Sequence, residues 1–124
     1  MNGAKKNTRA VGSLKETEAC IYLENKGYEI LERNFQTKAA EIDIVAKTKD
    51  LAGTSILVFV EVKYRATDHY GEAVAAVTPV KQMKIRLAAL QYLFQHDYPQ
   101  DTTPIRFDVI GIDGQKITHI EEAF

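Results

Sequence analysis

The chain has 124 residues, of which 45% are hydrophobic and 27% are charged, and its formal net charge at pH 7 is −1. This length and composition predict a single globular domain with its own core, and they exclude a fibrous or disordered chain. The pI near 6.3 excludes a uniformly basic nucleic-acid binder, so any cationic surface must be local.

The sequence also carries signals about compartment and domain limits. Its single cysteine excludes an internal disulfide, its start lacks a signal-peptide pattern, and no apolar run is long enough to cross a bilayer. We therefore expect a cytoplasmic protein that does not enter a membrane. Residues 1–12 include three basic side chains and are predicted to form a mobile arm ahead of one domain over 13–124.

The first helix is predicted over residues 13–26. Ser13 followed by Glu16 matches a capping box, and Gly27 is a natural helix terminator. Helical spacing places Glu16 at the edge of a core-facing stripe that continues with Ala19, Cys20 and Leu23. Glu16 could therefore cap the helix or face an interior site, and its position fits both roles.

Residues 40–65 predict two strands joined by a loop, and chemistry concentrates there. Alternation places Glu41 and Asp43 on one face of the first strand and Glu61 and Lys63 on one face of the second. If Ala46 lies opposite Ile56, then Glu41 faces Glu61 and Asp43 faces Phe59. The three carboxylates then converge, because opposed Cβ atoms are ~5 Å apart and diagonal ones ~7–8 Å.

A half-buried strand with one solvated face is the simpler interpretation of alternating charges. Two observations count against it. Leu57 and Phe59 share the face of Glu61, so that face is apolar first and charged only at its end. Clustered carboxylates also resist joint ionisation unless a cation is present. The pattern favours a hard divalent cation, Mg²⁺ or Mn²⁺, with Lys63 beside the attacking water or phosphate. The alternative role for Lys63 is a plain ion pair with Glu61 or Asp43.

The remaining elements follow from turn and capping signals. A strand is predicted over 28–35, and Thr78-Pro79 begins a helix that runs to about residue 96. This helix places Lys81 and Lys84 on one side, either as solvated charges or as phosphate contacts. Strands over 105–112 and 117–120 complete the sheet, with Asp108 expected to pair with Arg106 or another residue of the sheet. The second helix has an apolar stripe formed by Val80, Met83, Leu87, Leu90 and Phe94.

An ordered set of residues along nearly the whole chain carries a family resemblance. Its main members are Glu16, Ala19, Leu23, Gly27, Tyr28, Asn34, Phe35, Glu41, Ile42, Asp43, Phe59, Val60, Glu61, Val62, Lys63, Arg65, Tyr70, Gly71, Lys81, Arg106, Phe107, Asp108 and Phe124. The central pattern resembles the E-x-D…E-x-K core of the restriction-endonuclease-like nucleases, which include archaeal Holliday-junction resolvases. More closely, the chain resembles the YraN-like family of uncharacterised bacterial proteins, which are assigned that fold.

The resemblance implies an α/β, restriction-endonuclease-like fold with a mixed central sheet of about five strands flanked by helices. It implies a metal-dependent endonuclease acting on DNA, including branched or structured DNA, and a homodimer by analogy alone. The expected metal ligands are Asp43, Glu61 and the main-chain carbonyl of Val62. The expected catalytic residues are Lys63, Glu16 and Glu41, and the expected nucleic-acid contacts are Arg65, Lys81 and Lys84.

Two positions and one alternative function stay open. The family usually has glycine where this chain has Ala40 and often where it has Lys15, and a positive φ at position 40 would strain alanine. The alternative to a nuclease is a non-catalytic module that binds nucleic acid or protein and keeps the fold. Metal binding and DNA cleavage discriminate between the two.

Overall fold

The computed structural model describes the main chain of residues 3–64 and 76–124 and the side chains of 12–64 and 76–124. This part of the chain forms a five-stranded sheet and two helices, so the predicted α/β, restriction-endonuclease-like architecture is confirmed. None of the described helices is long and apolar enough to cross a membrane. The elements in chain order are α1 (Gly3–Asn25), β1 (Glu29–Gln36), β2 (Glu41–Lys49), β3 (Ser55–Tyr64), α2 (Pro79–Gln95), β4 (Ile105–Asp113) and β5 (Lys116–Ile120).

The strands lie in the sheet in the order β1-β2-β3-β4-β5. All neighbours are antiparallel except β3 and β4, which run parallel. A parallel pair needs a crossover connection, and α2 lies within that connection. The sheet is therefore mixed, as predicted.

Alternation along the strands produces two apolar layers, one on each side of the sheet. Val45 and Phe59 contribute to the layer that contains the buried residues of α2. Ile44 and Val58 contribute to the layer that packs against α1. The predicted α1 stripe is confirmed, because its members are buried in this second layer: Ala19, Cys20 and Leu23.

Helix α1 begins at Gly3, ten residues before the predicted start, so the assignment of Ser13 as a capping residue is wrong. Ser13 lies inside the helix, where its carbonyl accepts hydrogen bonds from Thr17 Oγ1 at 3.0 Å and Arg33 Nη2 at 3.2 Å. Residues 3–12 contain no proline and include strong helix formers, which lets the helix extend backward. The mobility of the arm 1–12 stays a prediction.

The C-terminal end of α1 matches the sequence. Gly27 has φ 93°, the left-handed conformation that glycine adopts without steric cost. Its N–H donates to Glu24 O at 3.0 Å, and Tyr28 N–H donates to Leu23 O at 3.0 Å. This pair of bonds is a Schellman motif, which ends the helix and directs the chain into β1.

The register between β2 and β3 differs from the predicted one by two residues. Ala46 pairs with Val58 instead of Ile56, and Val45 pairs with Phe59. The loop is shorter than assumed, since Asp50 Oδ1 accepts the N–H groups of Ala52 and Thr54 at 2.9 Å each. An even shift keeps every side chain on its predicted face, whereas a shift of one residue would reverse the faces.

Helix α2 begins as predicted but buries a different face. Thr78 is the N-cap and its hydroxyl accepts from Lys81 N at 3.2 Å, while Pro79 occupies the first turn. The predicted apolar stripe is exposed, with Phe94 75% accessible. Small alanines on the opposite face allow the helix to approach the sheet closely. The residues that pack inward are Ile85, Ala88, Ala89, Tyr92 and Leu93.

Candidate metal and nucleic-acid site

Two carboxyl groups meet where β2 and β3 approach α2. The shifted register, continued one pair beyond Ile44 and Val60, places Asp43 beside Glu61. Burial and the neighbouring Glu61 carboxyl raise the pKa of Asp43 to about 9. The Val62 N–H donates to Asp43 Oδ2 at 2.7 Å and acts in the opposite direction, lowering that pKa. The carboxyl pair therefore holds a proton at neutral pH when no cation is bound.

Two lysines surround this carboxyl pair. Lys81 Nζ lies 3.1 Å from Glu61 Oε2, so the first turn of α2 delivers an ammonium to the site. Burial and the neighbouring Lys81 lower the pKa of Lys63, despite the attraction of Glu61. Burial also acts to lower the pKa of Lys81, but contact with Lys63 and the charge of Glu61 outweigh it and raise that pKa. The site is thus a compact cluster of two acids and two amines.

The donor set suits a hard cation only in part. Within residues 12–64 and 76–124, no three Asp, Glu, His or Cys side chains are grouped as a complete metal site. Mg²⁺ commonly uses one or two carboxylates, with water and substrate phosphate supplying the other oxygens. Glu61 Oε2 is buried and makes no well-aligned hydrogen bond with a described residue, so its contact with Lys81 is electrostatic. Asp43 and Glu61 therefore fit a cation that is completed by its substrate.

The carboxyl pair opens into a cleft of about 470 Å³. One side of the cleft comes from the β1–β2 turn and β2, and the other comes from the first turns of α2. Lys81 and Lys84 both line it, at the position where a phosphate backbone approaching the carboxylates would lie. The lining residues are Ala39, Ala40, Glu41, Asp43, Glu61, Thr78, Val80, Lys81 and Lys84.

A polar bridge connects α1 to the rim of the cleft. Asn34, oriented from its hydrogen-bond network, donates from its amide nitrogen to Glu16 Oε1 at 2.9 Å and to Glu41 Oε1 at 3.1 Å. Burial and the nearby Glu41 raise the pKa of Glu16, while Arg33, whose Nη2 lies 3.7 Å from Glu16 Oε1, opposes the rise. One amide thus holds two carboxylates from different elements side by side.

The structure brings most of the predicted site residues together. Asp43, Glu61 and Lys63 meet in one cluster, and Glu41 reaches the cleft beside them. Glu16 does not line the cleft and is connected to it through Asn34. The predicted pairing of Glu41 with Glu61 and of Asp43 with Phe59 is wrong, because the register is shifted.

The remaining predictions concern backbone and basic residues. Val62 contributes its N–H to Asp43, while the role of its carbonyl as a ligand stays a prediction. Ala40 is absent from the described residues that have positive φ, so the strain expected there does not arise. Lys81 and Lys84 line the cleft, and their contact with phosphate stays a prediction. Arg65 lies outside the described residues.

Sequence reasoning assigned no role to Asn34 or Arg33, which organise the carboxylates at the rim. Asn34 has φ 56°, in the left-handed region that asparagine tolerates better than most residues. The available signal was an asparagine with an arginine inside a predicted strand, where asparagine is disfavoured. That signal indicates a local backbone irregularity, and the positive φ of Asn34 is such an irregularity.

A second polar cluster lies on the α1 side of the sheet, away from the cleft. Asp108 is fully buried and accepts from Arg106 Nε and Nη2, both at 2.9 Å, and it lies 2.7 Å from His119 Nε2. Burial acts to raise the pKa of Asp108, but the bonds from His119 and Arg106 outweigh it and lower that pKa. The predicted pairing of Asp108 with Arg106, within β4, is confirmed, and the contact of Asp108 with His119 joins β4 to β5.

Comparison with known proteins agrees with this architecture. The profile of the uncharacterised protein family UPF0102 matches residues 15–112, which include the carboxyl pair, both lysines, Arg106 and Asp108. The chain belongs to this family. The resemblance to the YraN-like proteins is thereby confirmed.

UPF0102 relatives match the chain over nearly its whole length. A UPF0102 protein of Thermodesulfovibrio yellowstonii is 42% identical over 116 residues, covering 92% of this chain and 95% of the relative. One of Alkaliphilus oremlandii is 41% identical over 120 residues, covering 94% and 98%. One of Ralstonia nicotianae is 42% identical over 118 residues, covering 93% and 86%. None of these three is named for an activity, so function has to be argued from the site.

Proposed function

We propose that this UPF0102 protein is a metal-dependent nuclease that hydrolyses DNA phosphodiester bonds. The observation that carries the proposal is the half-buried Asp43 beside the buried Glu61, with Lys63 and Lys81 at their edge, facing an open cleft. Folding alone does not require two acids to lie side by side at this position. Ionising both of them without a cation costs free energy. Perturbed acids in a cleft are typical of functional sites.

Asp43 and Glu61 would hold Mg²⁺ or Mn²⁺, with Glu41 at the rim available to water in the outer coordination shell. When bound, the cation supplies Lewis-acid polarisation of the phosphate and a lowered pKa for a coordinated water. The Val62 N–H keeps Asp43 oriented through the 2.7 Å hydrogen bond. Glu16 acts indirectly, because Asn34 joins it to Glu41.

The amines have separate roles in this proposal. Lys63 projects from β3 beside Glu61, and burial together with Lys81 lowers its pKa, which makes it a candidate to orient the attacking water or accept its proton. Lys81 and Lys84 would bind the phosphates on either side of the scissile bond from the cleft wall. To bind phosphate, Lys81 has to give up its contact with Glu61. The binding of DNA would therefore free Glu61 for the metal, so the two binding events are coupled.

Branched or structured DNA is the substrate class we favour. The net charge of −1 provides little general attraction to duplex DNA, so binding has to depend on local geometry at the cleft. A cleavage panel of linear, nicked, flapped and four-way junction DNA, with Mg²⁺, Mn²⁺ or chelator, tests this. Metal-dependent cleavage that Asp43→Asn abolishes is the expected result. Lys47→Met, on the same strand but at the opposite end from the site, is the matched control.

The second candidate function is a non-catalytic module that binds nucleic acid or protein. The ion pair between Lys81 and Glu61 favours it, because an internal ammonium can balance the acid pair without metal. Thermal melting separates the two candidates. If Mg²⁺ or Mn²⁺ raises the melting temperature and Asp43→Asn removes the rise, the site binds metal. If no rise and no cleavage occur while DNA still binds, the non-catalytic module is preferred.

A further inference from the structure

Helix α2 has a second apolar face in addition to the one that packs on the sheet. Its buried residues face inward, and five large apolar side chains on the other side are between 39% and 75% exposed. No described residue covers them. We call this face the α2 stripe; it consists of Val80, Met83, Leu87, Leu90 and Phe94.

The spacing of the α2 stripe is that of a helix-pairing seam. Its members follow one another at intervals of three and four residues, the heptad pattern of positions a and d. The buried Ile85 and Tyr92 then fall at position f, directly opposite the seam. A helix that only covered a sheet would carry polar residues at the exposed positions that the stripe occupies. The five side chains form one exposed apolar patch, and an apolar patch on the surface of a monomer is often functional.

We propose that the α2 stripe is the contact between two copies of this chain, packed antiparallel about a two-fold axis near Leu87. A heptad seam is complementary to itself, and a two-fold contact uses the same patch on both partners. The stripe contains no charge, and its flanks provide no acidic residue to recruit a basic partner.

The charges of α2 decide the direction of pairing. Lys81, Lys84 and Arg86 all lie in the N-terminal half, and the C-terminal half is uncharged up to Gln95. Parallel pairing would place the two basic halves together, whereas antiparallel pairing places each basic half beside an uncharged one. Antiparallel pairing also sets the small Val80 against the large Phe94 of the partner subunit, so the layers have similar total volume.

The pairing connects the interface to the cleft. Val80 belongs to the α2 stripe and also lines the cleft, so the interface reaches the rim of the site. A dimer of this kind carries two clefts at a fixed separation, one at each end of the helix pair. The inference does not rest on the proposed nuclease activity, because neither metal nor nucleic acid enters it. The contact is one helix face per partner and is smaller than the ~800 Å² per partner of a standard interface, so a weak dimer is expected.

Sedimentation of the full chain, from low micromolar to several hundred micromolar concentration, tests the dimer. The wild type should pass from monomer to dimer, and Leu87→Glu should stay monomeric with an unchanged circular dichroism spectrum, since it introduces two carboxylates near the axis. Ile21→Glu is the matched control, because Ile21 is also helical and, like Leu87, 53% exposed. It should dimerise as the wild type does.

Cysteine cross-linking tests the direction independently of stability. Cys20 is buried, so added cysteines on α2 report without competition. Mixed Val80→Cys and Phe94→Cys chains should form a disulfide-linked dimer, and Val80→Cys alone should not. A disulfide formed by Val80→Cys alone would overturn the antiparallel arrangement. A wild type that stays monomeric throughout, including one that binds vesicles of anionic phospholipid as a monomer, would overturn the proposal.

Discussion

The carboxyl groups of Asp43 and Glu61 lie side by side on neighbouring strands although they carry the same charge when ionised, and burial together with Glu61 raises the pKa of Asp43. The two-residue shift in register creates this contact, since it replaces Phe59 with Glu61 as the residue beside Asp43. A shared proton, the Val62 N–H and the Lys81 ammonium together make the pair tolerable in the folded chain. This balance makes the stability of the metal-free protein depend on pH.

We expect the metal-free protein to lose stability as pH rises. The pKa of Asp43 is about 9 in the folded state, because of burial and Glu61, and close to 4 in the unfolded chain. The folded state therefore holds a proton that the unfolded state releases. Its contribution to stability is complete at low pH and is lost as pH rises to about 9, by at most ~1.4 kcal/mol per unit.

Asp43→Asn should remove this dependence, since the amide cannot release a proton. Urea denaturation in the presence of chelator, between about pH 5 and about pH 9, measures the effect. The variant should be less sensitive to pH than the wild type across that range. Parallel profiles for the two proteins would mean that Asp43 is ionised in the folded state and that the shared proton does not exist.

Periodic patterns in the sequence predicted which residues share a face, but they could not predict the strand register or the buried side of α2. Alternation correctly placed Asp43, Glu61 and Lys63 on one face of the sheet, because a register shift of two residues leaves every side chain on its original face. The shift itself depended on the Asp50 turn, whose side-chain bonds to the backbone no hydrophobic pattern reveals. Periodicity identified the outer stripe of α2 but could not decide which side faced the sheet, because the helix has two apolar faces.

Lys81 should weaken metal binding, although it lies at the site. Its ammonium is 3.1 Å from Glu61 Oε2, and a cation that binds Glu61 has to displace it. Lys81→Met should therefore increase the affinity for Mn²⁺, by about three- to tenfold. Lys84→Met is the matched control, because Lys84 lines the same cleft one turn further along α2. Calorimetric titration with Mn²⁺ measures both variants.

The two substitutions also discriminate between explanations of a change in the affinity for Mn²⁺. If Lys84→Met strengthens Mn²⁺ binding as much as Lys81→Met does, the effect comes from the overall potential of the cleft and the Lys81–Glu61 contact is unimportant. If Lys81→Met weakens binding, the ammonium supports the carboxylates in the metal-bound state. Either result would contradict the displacement expected here.

Asp108 should contribute far more to stability than Glu121, although both pair with Arg106. Asp108 is fully buried and accepts two bonds from the guanidinium, while the side chain of Glu121, 3.0 Å from Arg106 Nη1, is 54% exposed. Asp108→Ala removes the buried carboxylate of the guanidinium and leaves it only the exposed Glu121 and the Tyr28 hydroxyl, which costs about 3–5 kcal/mol. Glu121→Ala removes an exposed pair worth ~0–1 kcal/mol. Urea denaturation of both variants gives the comparison, and similar losses would contradict it.

Asn34 has both a backbone role and a side-chain role, and two substitutions separate them. Its φ of 56° is strained for alanine but not for glycine, so Asn34→Ala should be less stable than Asn34→Gly by about 1–2 kcal/mol. Both variants lose the amide that joins Glu16 to Glu41. Both should therefore reduce metal affinity or cleavage to a similar extent, whatever their stability. Equal stability of the two variants would mean that β1 does not require the left-handed conformation. A glycine variant with wild-type metal binding would mean that the amide bridge does not position Glu41, because glycine keeps the backbone and removes only the side chain.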